Sequence, residues 1–205
     1  MMKKRLRQCQ KPQGDFGKEV IKDMNRHHEV ISNFSMESIS LPDDAKVIDL
    51  GCGGGVNIEK FLKRCPNGIV DGLDYSGLSV AESVRRNQKA VDSGRCHVYE
   101  ANVLDIPLDD GIYDLASAFE TIYFWGDLKK AFSEVYRILN DDGRFMIACD
   151  TDGNNPNDQK WVNLFDDINV YSKDELVTIL KEVGFEDIDI FHKEDEYLLV
   201  VVACK

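Results

Sequence analysis

Residues 49–55, Asp-Leu-Gly-Cys-Gly-Gly-Gly, constrain the fold of this chain more than any other stretch. They follow the apolar residues 47–48 and lead into a segment that suits a helix. A strand that turns through glycines into a helix brings backbone close to a nucleotide-like ligand, because glycine allows backbone shapes that side chains forbid. Asp74 ends a second strand-like run, residues 69–73, where a carboxylate can accept hydrogen bonds from both hydroxyls of a ribose.

The spacing of the glycines separates this turn from two other nucleotide-binding turns. The dinucleotide pattern G-x-G-x-x-G does not fit when it starts at Gly51, because its last glycine would be Val56. It does not fit when it starts at Gly53 either, because its last glycine would be Ile58. No Gly-Lys-Ser/Thr follows, as a phosphate-binding P-loop requires. Asp49, two positions before the first glycine, would repel a pyrophosphate but suits a cationic ligand.

Four stretches in the right order resemble a known family. Residues 49–55, in the form D-x-G-x-G-x-G, resemble motif I of the class I S-adenosylmethionine-dependent methyltransferases. Residues 72–76 resemble the end of its second strand, residues 100–108 its adenine-contacting loop, and residues 113–143 its fourth strand with the following helix and turn. The resemblance covers residues 43–205 and implies S-adenosyl-L-methionine as methyl donor, S-adenosyl-L-homocysteine as product and a small-molecule acceptor.

Strand-like and helix-like segments alternate, which predicts an α/β fold with a parallel sheet covered by helices. Strands are expected near residues 46–50, 69–73, 96–101, 114–119 and 144–149, with helices near 56–64, 77–92 and 128–139. A capping box at Ser172 opens a further helix that ends at Gly184, and two strands, residues 185–191 and 197–203, follow. The resemblance implies a Rossmann-like, seven-stranded, mostly parallel sheet with helices on both faces and the last strand antiparallel.

The first 42 residues stand outside this sheet, as a basic tail followed by a lid helix. Side chains recur here at helical spacing: Val20, Ile21, Met24, His28 and Ile31. One helix is therefore expected to pack over the open end of the sheet, and in the resembled family extra N-terminal helices often form a lid over donor and acceptor. The expected organisation is a tail and lid helix in residues 1–42 and a methyltransferase domain in residues 43–205.

The resemblance assigns the glycine turn to the methionine part of the donor. Gly51, Gly53 and Gly55, with Cys52 in the same turn, would meet that part of the ligand. Asp49 would orient the turn and attract the donor's ammonium group, directly or through water. The competing interpretation of Asp49 is a strand-end carboxylate that bonds only to local backbone. The competing interpretation of the whole turn is an ordinary strand-to-helix connection.

The resemblance assigns the nucleoside part of the donor to two further loops. Asp74 would bind the ribose hydroxyls, although a carboxylate at a helix N-terminus also stabilises the helix dipole. Tyr75 would stack on the adenine, with plain packing as the alternative. Asn102 would accept a hydrogen bond from the adenine amino group, where the family usually has Asp, and Val103 would act through its backbone N–H. A simple loop is the alternative for both.

The end of the fourth predicted strand and the lid supply the candidate catalytic residues. The backbone of Phe119 and Glu120 would meet the donor's ammonium group, and their side chains would face the methyl-transfer zone. Glu120 is a candidate base or orienting group for the acceptor, or else a structural carboxylate. His28 is the second candidate base, preferred over His27 because it shares the apolar side of the helix. No metal-binding constellation is visible in the sequence.

Aromatic residues are candidates for the wall of the substrate pocket. Tyr123 and Trp125 belong to a dense aromatic cluster after the fourth strand, and Trp161 lies in an irregular segment, residues 150–163, after the fifth. Open α/β sheets bind ligands beyond the carboxyl ends of their strands, where both segments are expected. Packing in the core is the alternative for all three rings.

The composition of the chain limits the cellular location and the binding partners that we expect. The net charge of −12 disfavours phosphate backbones, so nucleic acid is not expected as a substrate. No apolar run approaches 18 residues, so no membrane span is expected. The six cysteines form no Cys-x-x-Cys pair, which favours reduced thiols and a cytoplasmic location over disulfides or a zinc site.

Several functions stay open at this stage. A protein or RNA methyltransferase would keep the donor and change the acceptor. A nicotinamide-dependent oxidoreductase would use a similar sheet, although Val56 counts against it. A non-catalytic partner protein would keep the fold without transfer. The sequence specifies neither the acceptor nor the atom that is methylated, and either a monomer or a homodimer is expected.

Overall fold

The computed structural model describes residues 7–156, 158 and 168–205. Its strands are β1 (Lys46–Leu50), β2 (Ile69–Asp74), β3 (Val98–Glu100), β4 (Tyr113–Phe119), β5 (Leu139–Cys149), β6 (Glu186–Lys193) and β7 (Leu198–Cys204). They form one sheet in the order β3-β2-β1-β4-β5-β7-β6. Strands β1 to β5 pair in parallel, whereas β7 is antiparallel to both β5 and β6. The predicted seven-stranded sheet with an antiparallel last strand is confirmed.

Helices cover both faces of this sheet, as predicted. They are α1 (Gly14–His27), α2 (Glu29–Glu37), α3 (Val56–Arg64), α4 (Gly77–Arg86), α5 (Gln88–Asp92), α6 (Leu128–Ile138) and α7 (Lys173–Val183). Helices α6 and α7 share one apolar core with the sheet, and α2 and α3 share a second core on the other face. Neighbouring β1 residues alternate between the two cores: Ile48 and Leu50 lie in the first and Val47 in the second. A strand that is buried on both faces needs a nearly continuous run of apolar residues, and this pattern predicted β1 from the sequence.

Local sequence signals determine where three of the helices begin. The Ser76 side chain accepts a hydrogen bond from the Ser79 N–H at the start of α4, and Asp127 does the same for α6 from Lys130. Ser172 and Glu175 form the reciprocal capping box that opens α7. These caps satisfy N–H groups that the first helical turn leaves without partners, so they begin each helix where the sequence predicts.

Three predicted elements differ in the structure. The single lid helix is two helices, α1 and α2, separated at His28, so that α1 packs against α4 while α2 packs against β5. The helix expected at residues 77–92 breaks at Asn87, whose side-chain amide donates to the carbonyls of Gly55 and Ser83. Strand β5 begins at Leu139, because residues 139–143 extend along β4 across a shift in register.

The described part of the chain also bears on the expected environment. No described helix combines the length and the apolar composition that a membrane span requires. All six cysteines lie among the described residues, and none of them forms a disulfide.

Candidate functional site

A cavity of about 230 Å³ opens at the carboxyl ends of β1, β2 and β4. Its walls come from the glycine turn after β1, the end of β2, the loop at residues 101–104 and the end of β4, and the N-terminal segment closes it from above. Parallel strands bring their carboxyl ends to one edge of a sheet, which is why motifs far apart in the sequence meet here. Most of the residues predicted to bind the donor line this cavity: Gly51, Cys52, Gly53, Asp74, Tyr75, Asn102, Val103, Phe119 and Glu120.

Backbone hydrogen bonds tie the glycine turn to the end of β2. The Gly51 N–H donates to the Leu73 carbonyl at 2.7 Å, and the Gly53 N–H donates to Asp74 Oδ2 at 2.9 Å. Gly51 and Gly53 have left-handed backbone angles, with φ of 74° and 52°. A side chain added at Gly53 would meet no atom within 4 Å, so this glycine presents bare backbone to open space. The turn therefore leaves room for another group to approach its backbone closely.

Asp49 lies behind the turn and does not line the cavity. Its side chain is buried, with 1% of the residue exposed. The Ser117 hydroxyl donates to Asp49 Oδ1 at 2.9 Å, whereas Oδ2 is buried without a hydrogen-bond partner among the described residues. Burial raises the pKa of Asp49 to about 7, the Ser117 hydrogen bond offsets part of the rise, and the charge of Asp74 adds to it. Asp49 is thus an acidic group that lacks one stabilising contact.

We expect the ligand-free protein to lose stability as the pH rises, because the pKa of Asp49 is higher in the folded than in the unfolded chain. The stabilisation is complete below the unfolded pKa of 3.8 and is lost as the pH rises through about 7. Between pH 5 and pH 8 this group alone should lower the free energy of unfolding by about 2 to 3 kcal/mol. Urea unfolding of the wild type and Asp49→Asn at both pH values measures it. An equal pH dependence in the two proteins would contradict the assignment.

Asp74 and Tyr75 stand where β2 enters the cavity. Asp74 accepts backbone hydrogen bonds from Gly53 and Ser76, and it is buried, so its pKa is raised mainly by burial and held back by these two donors. The Tyr75 hydroxyl donates to the Gln10 carbonyl at 2.5 Å, and Lys11 Nζ lies 5.0 Å from the centre of its ring. The ring lines the cavity and also anchors the N-terminal segment.

The loop after β3 supplies Asn102 and Val103. Asn102 Oδ1 accepts a hydrogen bond from the Leu104 N–H at 3.0 Å, so the oxygen expected to meet adenine also shapes its own loop. Val103 is 7% exposed and presents its small accessible surface to the cavity. Both predicted positions therefore reach the cavity wall, and the Asn102 oxygen has a local partner as well.

Glu120 adopts a strained backbone at the end of β4. Its φ of 55° lies in the left-handed region, which costs energy for a residue other than glycine. Its carboxylate accepts a hydrogen bond from the Asp150 N–H and another from the Tyr123 hydroxyl, the latter at 3.4 Å. Burial raises the pKa of Glu120 well above its usual range, and the charge of Asp150 adds to the rise. A carboxyl group with a raised pKa beside the cavity can act as a base near neutral pH.

His28, between α1 and α2, faces Glu120 across the cavity edge. Burial lowers the pKa of His28, while Asp150 opposes that shift. One ligand atom each of His28, Glu120 and Asp150 lies within 4.8 Å of the others. The structure therefore brings both predicted catalytic residues together, and it adds Asp150, to which no motif in the sequence points.

The three aromatic candidates for the substrate wall have different outcomes. Trp125 lines the cavity and its indole N–H donates to the Thr121 hydroxyl at 3.2 Å, while its ring stacks parallel to Phe145 in the core. Tyr123 is not among the residues that line the cavity, and it is buried with its hydroxyl on Glu120. Trp161 lies outside the described residues.

The N-terminal segment contributes more to the cavity than its sequence pattern indicated. The residues that it adds to the wall are Cys9, Gln10, Pro12, Met24, Asn25, Glu29 and Ser32. The Ser76 hydroxyl donates to the Pro12 carbonyl at 3.0 Å, which ties the segment to the end of β2 beside Asp74. Helical spacing marked α1 as a lid, but no motif in residues 9–12 signals a contact with β2.

Comparison with known proteins relates this site to a family. The family model described as methyltransferase domain matches residues 48–147. The Bacillus subtilis (strain 168) protein YrhH, named as a methyltransferase, is 27% identical over 178 residues, which cover 86% of this chain and 87% of that protein. The chain spans about half the length of further curated relatives, two fungal methyltransferases.

Solved structures share the fold. A chain in the complex between the Haloferax volcanii Trm112 methyltransferase activator and a methyltransferase superposes with a TM-score of 0.79 and 18% identity, covering 90% of this chain and 92% of that chain. Geranyl diphosphate C-methyltransferase from Streptomyces coelicolor A3(2), in complex with Mg²⁺, geranyl diphosphate and S-adenosyl-L-homocysteine, superposes with a TM-score of 0.71 and 18% identity, covering 94% and 86%. At these identities the likeness is one of fold.

Proposed function

We propose that this enzyme, which belongs to the class I S-adenosyl-L-methionine-dependent methyltransferase family, binds the methyl donor in the cavity at the carboxyl edge of its sheet and methylates a small molecule. The observation that carries the proposal is the meeting of three features in one cavity. The bare backbone of Gly53, the carboxylate of Asp74 and the strained turn at Glu120 all border the same space.

The charges and hydrogen-bonding groups of the cavity fit this donor. Asp49 keeps a buried acceptor oxygen without a partner, and the donor's ammonium group, directly or through water, would offset its negative charge. Gly51, Cys52 and Gly53 would follow the methionine chain, and Asp74 would accept from the ribose hydroxyls. Tyr75, Asn102 and Val103 would enclose the adenine.

In the methyl-transfer step the protein would mainly position the reactants and stabilise their charges. The bound donor supplies an electrophilic methyl group on a sulfonium, so no protein nucleophile is required. Phe119 and Trp125 line the cavity, where they would border the reacting zone and exclude water from it. The lid would hold the acceptor in line at about 3 to 3.5 Å before reaction. Where the acceptor must lose a proton, Glu120 and His28 are the groups that would receive it.

A small-molecule acceptor agrees with the surface charge and the closed site. The net charge of −12 opposes phosphate backbones, so we propose no nucleic-acid substrate. The N-terminal helices cover the cavity, which suits an acceptor that can be enclosed, and we propose that residues 1–42 act as tail and lid to a catalytic domain of residues 43–205. The lack of disulfides among the described cysteines agrees with a cytoplasmic protein, which we propose acts as a monomer or homodimer.

Thermal unfolding with millimolar S-adenosyl-L-methionine, S-adenosyl-L-homocysteine or NAD tests the proposal. A ligand that binds only the native state stabilises it by about 2.7 kcal/mol at 100 times its dissociation constant. We expect a rise in melting temperature with both sulfur compounds and none with NAD. A rise with NAD alone would contradict the proposal, and a rise with structured RNA that disappears at high salt would redirect the acceptor search.

A further inference from the structure

Three side chains with metal-binding atoms meet at the edge of the cavity, although they come from separate parts of the chain. His28 joins the two lid helices, Glu120 follows β4, and Asp150 follows β5. One nitrogen of the imidazole and one oxygen of each carboxylate lie within 4.8 Å of one another, and no other such group of histidine, cysteine or acidic side chains occurs among the described residues. The convergence depends on the fold, because His28 and Glu120 are 92 positions apart in the sequence.

We propose that His28, Glu120 and Asp150 bind a divalent transition-metal cation at the mouth of the donor cavity.

The charges around the three residues favour a cation. One oxygen of Glu120 and one of Asp150 lie within 4.8 Å of each other and of a ring nitrogen of His28. Two carboxylates this close repel each other when both are ionised, and a cation between them would remove that repulsion. Among the hydrogen bonds of the described residues, none uses the ring nitrogens of His28, which leaves them available for an ion.

The surroundings hold Glu120 in place for such a role. Hydrogen bonds from the Asp150 N–H and the Tyr123 hydroxyl orient its carboxylate, as neighbouring groups orient the ligands of established metal sites. The positive φ of Glu120 turns the chain at the end of β4, where its side chain meets the lid. Strain of this kind persists where the surrounding structure enforces it.

The ligand set indicates which cations fit. Imidazole nitrogen suits zinc, iron and copper better than magnesium or calcium, and carboxylate oxygens accept zinc and manganese. Ligand atoms about 2.0 Å from zinc lie about 3.3 Å apart in a tetrahedral site, so side-chain rotation can close this group around an ion. Three protein ligands leave a fourth position open, as in catalytic zinc sites.

The open position would face the cavity, because His28 and Glu120 both line it. Resting on the proposed methyltransferase function, we assign this position to a hydroxyl oxygen of the acceptor, whose pKa the cation would lower. When the ion is bound, His28 and Glu120 serve as its ligands instead of as bases, so the hydroxyl proton leaves to solvent. The oxygen forms the O–CH₃ bond, and the electron pair of the breaking S–CH₃ bond stays on the sulfur of S-adenosyl-L-homocysteine. Metal binding and methyl transfer remain separately measurable.

Isothermal titration of chelator-treated full-length protein with zinc chloride, and separately with manganese chloride, tests the site without any methyl donor. We expect one ion per chain, and at least about 100-fold weaker binding in both Asp150→Asn and Glu120→Gln. Circular dichroism and urea unfolding of the same preparations establish that each variant is folded, and stabilisation by S-adenosyl-L-homocysteine is measured separately. A variant that does not fold would be replaced by His28→Ala, because His28 lies between the lid helices and outside the sheet.

Glu194→Gln is the matched control, because Glu194 Oε1 lies 3.8 Å from His192 Nδ1 outside the cavity. This variant should bind metal as the wild type does. Unchanged affinity in Asp150→Asn, less than one ion per chain, or a loss confined to Glu194→Gln would each overturn the site. If metal binding is absent while S-adenosyl-L-homocysteine still stabilises the protein, the metal proposal fails and the methyltransferase proposal stands.

Discussion

Asp74→Ala is expected to abolish the stabilisation of the protein by S-adenosyl-L-homocysteine. The proposed hydrogen bonds from two ribose hydroxyls to a carboxylate are charge-assisted, and their loss should weaken binding by about 100- to 1000-fold. Asp74 is 7% exposed, and both of its oxygens are held by backbone N–H groups, so the carboxylate is fixed before the ligand arrives. Preorganisation of this kind makes the expected loss large, because the wild type spends no binding energy on ordering the group.

Titration of S-adenosyl-L-homocysteine into wild type, Asp74→Ala and Asp105→Ala measures the effect. Asp105 lies nearby in the loop after β3, is exposed and does not line the cavity, so its variant should bind normally. Asp74→Ala also leaves the N–H groups of Gly53 and Ser76 without their acceptor, which should lower stability by about 1 to 3 kcal/mol for each group left buried. Circular dichroism therefore has to show a folded variant. Near-normal affinity in a folded Asp74→Ala protein would remove the proposed ribose contact.

The sheet could be predicted because its determinants are local. Parallel strands buried on both faces appear as short apolar runs, and each run here ends in a turn or a capping residue. Ser76, Asp127 and Ser172 mark helix starts through hydrogen bonds that span only three residues. Such contacts join residues that are close together in the sequence, so a sequence pattern is enough to predict them. The prediction of strands and of most helix ends is confirmed.

Features that depend on distant contacts could not be predicted in the same way. The break at His28 follows from two different packing surfaces for α1 and α2, which helical spacing alone does not distinguish. Asn87 ends α4 because its amide reaches the Gly55 carbonyl, 32 residues away in the sequence. Asp150 joins His28 and Glu120 only because β4 and β5 are neighbours in the sheet.

Hydrogen bonds within the protein also involve two of the residues predicted to contact the ligand. The Tyr75 hydroxyl reaches Gln10, and the Asn102 oxygen serves the Leu104 N–H. Each side chain therefore has a structural role at the edge of the same cavity that it is proposed to line. The sequence offered packing and binding as alternatives for such residues, whereas the geometry allows one residue to do both: it shapes the wall with its polar atom and leaves its remaining surface to the ligand.

Gly51→Ala is expected to destabilise the protein by about 3 to 5 kcal/mol, far more than an ordinary glycine replacement. The backbone there has φ of 74°, and a Cβ atom would lie 2.8 Å from the Cβ of Thr121 and closer still to its hydroxyl. Thr121 cannot move alone, because its hydroxyl accepts the Trp125 indole N–H and that ring packs against Phe132 and Phe145. A single added methyl group would therefore disturb both the glycine turn and the aromatic core.

Two other glycines separate crowding from backbone strain in this prediction. Gly94 has φ of 72° and Gly53 has φ of 52°, and a Cβ atom at either position would meet nothing within 4 Å. Urea unfolding should therefore give Gly94→Ala and Gly53→Ala a cost of only about 1 to 2 kcal/mol. Gly53→Ala should in addition lose stabilisation by S-adenosyl-L-homocysteine, because its methyl group would occupy the space proposed for the donor, whereas Gly94→Ala should keep it. An equal loss of unfolding free energy in Gly51→Ala and Gly94→Ala would mean that Thr121 moves aside without strain. The backbone conformation alone would then explain why position 51 is a glycine.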